Sequence, residues 1–403
     1  MEGPLKGIKI VSVEHWLAMP AATSILAQWG ADVIKIENPQ GGDPARGWQS
    51  AGIIPYPTIL NPMFEYQNLN KKSVAIDLGN GASKEVMQKL IDWADVFTTN
   101  LHPKVLAKYR LDYETLNSWK PAIIYVSLTG YGNEGPDKDR PGYDICAFWA
   151  RSGLMAFTGE PDGPPAMHPH GIGDSTTSML IAGATSAALF ARERTGKGQK
   201  VDLCLYHTGM WANGVNIATS LYSGHEVQRW DSKNVGNPLV NRYQTKNGKW
   251  LFICCLQSDR AWSRFCQALG QPELEHEERF SSHQKRMKNN KELIQIIEER
   301  MATKPGEEWE HIFEELNIVY GPIMTNLEVT KDPQVWDNRF LTEIEHPSVG
   351  NAPVLTSPGK FNSSVPEPHQ SAPELGQHTE EVLIELGYTW EDIMTFKEKG
   401  LIL

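Results

Sequence analysis

The chain has 403 residues, of which 40% are hydrophobic and 22% charged, proportions that exclude a disordered, collagenous or fibrous protein. At roughly 150 residues per domain, the length implies two or three domains with ample apolar material for a large core. Acidic residues outnumber basic ones, 49 to 38, for a formal net charge of −11. That balance excludes a surface that coats nucleic acid but allows a local basic pocket for a small anion.

Five cysteines, Cys146, Cys204, Cys254, Cys255 and Cys266, form no CxxC and no zinc-like spacing with histidine. They read as reduced thiols of a cytoplasmic protein. The start, Met1-Glu2-Gly3-Pro4-Leu5-Lys6, has no charged segment leading into an apolar one, so no signal peptide is expected. The longest weakly polar run, Met179 to Ala191, is well short of the about 20 apolar residues of a bilayer span and reads as a buried helix, so no membrane association is expected.

In chain order, Ile8 to Val13 alternates and is β-branched, which predicts a strand. Pro20 opens a helical stretch from Ala21 to Trp29, Gly30 stops it, and Val33 to Ile36 is the next strand. So short a crossover implies parallel strands in a right-handed unit. The pattern repeats as a strand over Ser73–Leu78, a helix over Ala82–Ala94, a strand over Val96–Thr99, a helix beginning over Lys104–Lys108 and a strand over Ala122–Ser127. This alternation predicts an α/β fold with a Rossmann-like, doubly wound, mostly parallel sheet. Neither GxGxxG nor GxxxxGK[ST] is present, so a nicotinamide or P-loop reading loses its main support.

The glycine-rich loop Gly130 to Pro136 follows a strand and belongs at the carboxyl edge of the sheet, where ligands bind in this architecture. A long helix is expected from Ser175 to Arg194, ended by Gly196-Lys197-Gly198, before a strand over Val201–Leu205. The composition then changes, and Ser223 to Leu316 reads as a smaller domain with a hairpin at Asn247-Gly248. Short strand signals at Glu343–Glu345 and Lys360-Phe361 precede closing helices over Thr379–Leu386 and Trp390–Lys397.

The segment richest in chemistry is Pro169-His170-Gly171-Ile172-Gly173-Asp174-Ser175. A glycine-flanked acid stands there at the start of a long helix. Asp174 has two compatible readings: an N-cap accepting a backbone N–H, or an exposed carboxylate able to attack a carbonyl directly. His168 and His170 flank Pro169, but no carboxylate or third histidine stands at a matching spacing, so no metal is expected. Three cationic groups lie near strand ends: Lys71-Lys72 after Asn70; Lys104, Lys108 and Arg110 after Asn100; and Lys138 and Arg140 after the glycine-rich loop. A doubly wound sheet brings such ends together, which admits an anionic ligand beside the alternative of plain solvated charge.

Together these residues resemble the class III CoA-transferases, the family of formyl-CoA, carnitine and 2-hydroxyacyl-CoA transferases. The likeness runs from Pro4-Leu5-Lys6-Gly7 to Gly400-Leu401-Ile402. It includes Gly30-Ala31-Asp32-Val33-Ile34-Lys35-Ile36-Glu37, Asn70-Lys71-Lys72-Ser73, Leu111-Asp112-Tyr113-Glu114, Arg140-Pro141-Gly142-Tyr143-Asp144, Thr195-Gly196-Lys197-Gly198-Gln199 and Leu375-Gly376-Gln377-His378-Thr379. The resemblance implies that Asp174 attacks an acyl-CoA thioester and forms an acyl-aspartyl anhydride. It implies CoA contacts at His15, Trp16, Leu17 and Ala18, at Asn70, Lys71 and Lys72, at Asn100, Leu101 and Lys108, and at Arg140 and Tyr143. Coenzyme A would be a substrate, with no tightly bound cofactor. Departures stand at Asn100-Leu101-His102-Pro103-Lys104, where an Asn-Phe-Arg-Pro-Gly element is common, at Asn38, and at Gly236-Asn237-Pro238, where the formyl-CoA enzymes carry a glycine tetrad. Formyl and oxalyl groups are therefore poor substrate expectations.

Two alternatives remain on this fold. One is an α-methylacyl-CoA racemase, which uses Gly-His-Asp where this chain has Gly142-Tyr143-Asp144; a tyrosine, with a reference pKa of about 10, is ill suited to α-proton transfer near pH 7. The other is a CoA-binding subunit without turnover. Among the transferases, Gly135 to Asp139 and Ala147 to Gly153 look most like enzymes of anaerobic amino-acid fermentation, which transfer CoA to 2-hydroxy acids. Trp16, Leu17, Met19, Phe148 and Trp149 are candidates for an apolar acyl pocket, each also explicable as core. The expected organisation is a large CoA-binding domain from residues 1–215 and 325–403 and a small α+β domain over 225–320, and the resemblance implies an interlocked homodimer.

Overall fold

The computed structural model describes residues 3–51, 57–361 and 368–403. Its contacts divide the chain into two compact units. The first comprises the chain up to Ala156 with Met167–Gly224 and Pro333–Leu403; the second comprises Phe157–Ala166 and His225–Asp332.

The first unit is built on six strands: β1 (Lys9–Val13), β2 (Asp32–Glu37), β3 (Lys71–Ala75), β4 (Val96–Thr99), β5 (Ile124–Thr129) and β6 (Gln199–Cys204). They form one sheet in the order β3-β2-β1-β4-β5-β6, every pairing parallel. The order reverses at β1, the switch point of a doubly wound sheet. Crossovers are helical: α1 (Ala18–Gln28), α2 (Pro62–Asn68), α3 (Ser83–Trp93), α4 (Pro103–Tyr109), α5 (Tyr113–Trp119), α6 (Leu154–Phe157) and α7 (Ile172–Thr195). After β6 come α8 (Leu205–Ala212) and α9 (Gly214–Ser223).

Because both faces of a parallel sheet are covered, neighbouring residues of one strand enter different cores. Ile10 of β1 joins Met19, Leu26, Val126 and Ile181 on one face. Val11 joins Ile34, Leu90 and Phe97 on the other. The long helix α7 packs along α1, so its start is fixed against the first crossover.

The second unit has an antiparallel sheet of β7 (Val240–Gln244), β8 (Trp250–Cys254) and β9 (Tyr320–Pro322). The hairpin between β7 and β8 turns at Asn247-Gly248, where Gly248 takes a left-handed φ of 81°. Helices α10 (Ser258–Ala268), α11 (His283–Lys288), α12 (Asn290–Met301), α13 (Gly306–Glu315) and α14 (Asn326–Val329) complete it. Its own core gathers Tyr243, Phe265, Phe280, Trp309 and Phe313. In the chain after it, α15 (Pro333–Asp337) leads to an antiparallel pair, β10 (Leu341–His346) and β11 (Gly350–Leu355), then α16 (Thr379–Glu385) and α17 (Trp390–Glu398). The second strand of this pair lies at β11 rather than at Lys360-Phe361.

Candidate functional site

The carboxyl ends of β1, β4, β5 and β6 open onto a cleft of about 340 Å³. The loop after β1 contributes His15, Trp16, Leu17 and Ala18, and the loop after β4 contributes Asn100, Leu101 and His102. The crossover after β5 contributes Gly130, Lys138, Arg140 and Tyr143, and Asp174 enters from the first turn of α7. Residues singled out far apart in the sequence thus line one space.

Asp174 is not a helix cap. α7 begins at Ile172, its N-cap is Gly171 at φ 84°, and no side chain caps it. Asp174 is already inside the first turn, and among the described residues its carboxylate makes no hydrogen bond. The glycines on either side of Ile172 explain the early start. A Cβ on Gly173 would stand 2.2 Å from Asp144 Oδ1 and 2.4 Å from Phe148 Cγ, and one on Gly171 would stand 2.8 Å from Leu17 Cδ1. Only glycine allows α7 to come this close to the π-helical turn Asp144–Ala150 and to the loop after β1.

The Asp174 carboxyl is half-buried. Loss of hydration, with repulsion from the Asp144 carboxylate added, pushes its pKa up to about 7. Such a group ionises near neutrality and is more basic, hence more nucleophilic, once ionised. Asp144 is itself buried; its Oδ2 accepts the Gly171 N–H at 2.6 Å, while Oδ1 has no partner. Burial raises its pKa too, against the pull of the Gly171 and Gly173 amides and of His170 and His168. Asp144 is the residue that sequence reasoning passed over as a site member. Its position next to Tyr143 in the Gly142-Tyr143-Asp144 element was the available signal.

Around the carboxylate the donors are of two kinds. The first turn of α1 leaves backbone N–H groups without intrahelical partners at the residues that line the cleft. Lys138 and Arg140 supply positive charge, Arg140 lying 5.4 Å from the Tyr131 ring and 3.8 Å from Asp137. Burial, helped by Lys35, lowers the His15 pKa against the opposite pull of Asp43. Trp16 and Tyr143 meet edge to face at 6.4 Å.

The four remaining expected CoA contacts lie outside this lining. The Lys71 ammonium is enclosed and donates to Glu14 at 2.9 Å, to the Pro20 carbonyl and to Asn68, so it is turned into the core and not toward a phosphate. Lys72 pairs with Glu381 and Glu385. Asn70, at φ 63°, accepts the His369 and Gln370 N–H groups. Lys108 is exposed on α4 beside Tyr109. Of the three cationic groups only the last, Lys138 with Arg140, lines the cleft. Lys104 instead pairs with Asp139 at 3.1 Å. Of the apolar candidates, Met19 and Phe148 belong to the core, Trp149 stacks on His168 at 3.7 Å, and Trp16 and Leu17 line the cleft.

A larger cavity of about 460 Å³, lined by Ile25, Met179, Phe340 and Leu355, contains no carboxylate, and its Tyr66 and Ser175 hydroxyls bond to each other. It lacks a comparable nucleophile. Among the described residues no cluster of His, Cys, Asp or Glu is arranged to hold a metal ion, and no helix is long and apolar enough to cross a membrane.

Comparison with known proteins bears on this cleft. The model of CoA-transferase family III matches residues 5–379. The chain is 32% identical to the (R)-2-hydroxy-4-methylpentanoate CoA-transferase of Clostridioides difficile, over 99% of each protein. It is 33% identical to the cinnamoyl-CoA:phenyllactate CoA-transferase of Clostridium sporogenes, over 98% of this chain and 97% of that one. Among solved structures, a CAIB/BAIF family protein from Brucella suis superposes with a TM-score of 0.84 at 30% identity, covering 96% of this chain and all of the other.

Proposed function

The chain belongs to CoA-transferase family III and is a CoA-transferase, and from that premise we propose that it moves CoA between an acyl- or enoyl-CoA and a free 2-hydroxy acid through an acyl anhydride on Asp174. The observation that carries this reading is the Asp174 carboxylate itself: uncapped, half-buried, and facing the same cleft as the start of α1.

An Asp174 oxygen attacks the thioester carbonyl; a C–O bond forms, the C–S bond breaks, and CoA thiolate departs. Negative charge on the carbonyl oxygen in the transition state would be met by backbone N–H donors at a helix start. The incoming carboxylate then attacks the Asp174 carbonyl of the anhydride and displaces the first acid, leaving its own acyl group on Asp174. The retained thiolate attacks that acyl carbonyl, a C–S bond forms, the C–O bond to Asp174 breaks, and the new acyl-CoA and the restored carboxylate result. One thioester is exchanged for another, so the reaction needs neither ATP nor metal. His15 to Ala18, Asn100, Leu101, Arg140 and Tyr143 would hold CoA around this point, with Arg140 and Lys138 as the cations for its phosphates.

A branched or aromatic 2-hydroxy acid is the preferred acceptor, supported by what the two clostridial relatives act on. We further read the protein as a cytoplasmic homodimer whose two units are a large CoA-binding domain and a small domain. The test incubates acyl-CoA with labelled free acids in deuterated water and adds hydroxylamine during turnover. Exchange with 2-hydroxy acids and a hydroxamate at residue 174, read by peptide mass, are expected. Preference for succinate or oxalate over every 2-hydroxy acid would refute the substrate, and α-deuterium uptake without exchange would refute the transferase chemistry.

A further inference from the structure

The backbone that leads into the cleft is held by side chains at four consecutive polar groups. The Glu14 carbonyl accepts Lys35 Nζ at 3.2 Å. The His15 N–H donates to Asn100 Oδ1 at 2.9 Å, and the His15 carbonyl accepts Asn100 Nδ2 at 2.7 Å. The Trp16 N–H donates to Asp43 Oδ1 at 3.0 Å. Trp16 sits at φ 67°, a left-handed conformation that a bulky residue adopts only when its surroundings hold it there.

Two of these holders belong to a wholly buried ionic cluster. Lys35 donates to Asp43 Oδ2 at 2.8 Å and lies 3.7 Å from Glu14; Glu14 in turn pairs with Lys71 at 2.9 Å. Asp43 also accepts the Ala45 N–H. All four side chains are enclosed, and two negative charges balance two positive ones. A buried ionic cluster is a poor way to gain stability, because desolvation offsets the attraction, so it calls for another explanation.

We infer that Lys35 and Asp43 are positioning residues for the transferase reaction: through the Glu14 carbonyl and the Trp16 N–H they hold the left-handed turn that aims the start of α1 into the cleft with Asp174. The inference rests on the reading of Asp174 as the nucleophile. Lys35 and Asp43 do not line the cleft; they reach it through the backbone of residues 14–16 and through their opposed charges on the His15 imidazole.

The test uses two variants in the full chain. Asp43→Asn keeps an oxygen for the Trp16 and Ala45 N–H groups but turns an amide donor toward Lys35. Lys35→Met with Asp43→Asn removes that conflict and leaves the Glu14–Lys71 pair electrically balanced, so this variant folds even where the first does not. Melting temperature, kcat, KM for acyl-CoA and the rate of hydroxamate formation at residue 174 are read together. The expected result is a melting temperature largely recovered in the double variant while kcat and adduct formation stay at least tenfold below wild type, with a smaller change in KM. Recovery of kcat in step with the melting temperature, or either folded variant within twofold of wild type, would overturn the inference. Absence of the hydroxamate in the wild-type control would instead count against the nucleophile reading, so the two failures are distinguishable.

Discussion

At the scale of single residues, the proposed chemistry turns on one carboxyl group, Asp174, whose environment disfavours its charge. Asp174→Asn removes the oxygen anion proposed to attack the thioester, and acyl exchange should fall by at least three orders of magnitude while CoA binding persists, measured by exchange kinetics and titration with free CoA. Stability should move the other way. The folded-state pKa, about 7, lies above the unfolded value near 4, so the folded chain binds the extra proton between those limits. The wild type therefore loses stability as pH rises through that window and stays flat above it. The Asn variant lacks this loss, so its advantage in melting temperature should grow from pH 4 to 7 and then level off. Asp144→Asn keeps an acceptor for the Gly171 N–H but removes the charge, so the acidic limb of kcat/KM should move to lower pH. The groups in or beside this site are His168 and His170 before α7, His15 after β1 and Lys138 and Arg140 after β5. An unmoved limb in a folded, active Asp144→Asn enzyme would separate Asp144 from the ionisation of Asp174.

At the scale of elements, the strands and helices that set the cleft were legible because their signals are local: β-branched runs for β1, β2 and β4, and Gly30 and Gly196 as terminators. The start of α7 was not. Gly171-Ile172-Gly173 reads as a turn, since glycine is a poor helix former, and its helical state comes from contact with Asp144, Phe148 and Leu17, which no local pattern reveals. Lys71 misled for the same reason: its partner Glu14 is 57 residues away, so a buried ion pair looked like a free cation. The tight approach has a consequence. Gly173→Ala forces a Cβ into the Asp144 carboxylate and the Phe148 ring, and overpacking of that kind costs about 1–3 kcal/mol. The expected outcome is a lower melting temperature together with slower adduct formation at Asp174, because the helix start must shift. A Gly173→Ala enzyme with wild-type stability would show that the turn is not packed in this way.

At the scale of the whole molecule, α8 and α9 present an unsolved burial problem. Trp211, Val215, Leu221 and Tyr222 are 83%, 82%, 74% and 89% exposed, and α9 has no buried residue at all. A helix of this length is marginal in water without an apolar face to bury, and so much exposed large apolar surface marks an interface. We propose that the occupant is a second copy of the same chain, since a twofold axis would place each copy against the same helices of the other. Static light scattering at micromolar concentration should therefore give twice the chain mass. Replacing Trp211 and Tyr222 by Glu should shift the mass toward that of one chain and lower the helical content, since α9 would lose its cover. A wild-type monomer at that concentration would defeat the dimer. A wild-type dimer that survives both substitutions would place the contact elsewhere and leave α9 to be stabilised by some other means.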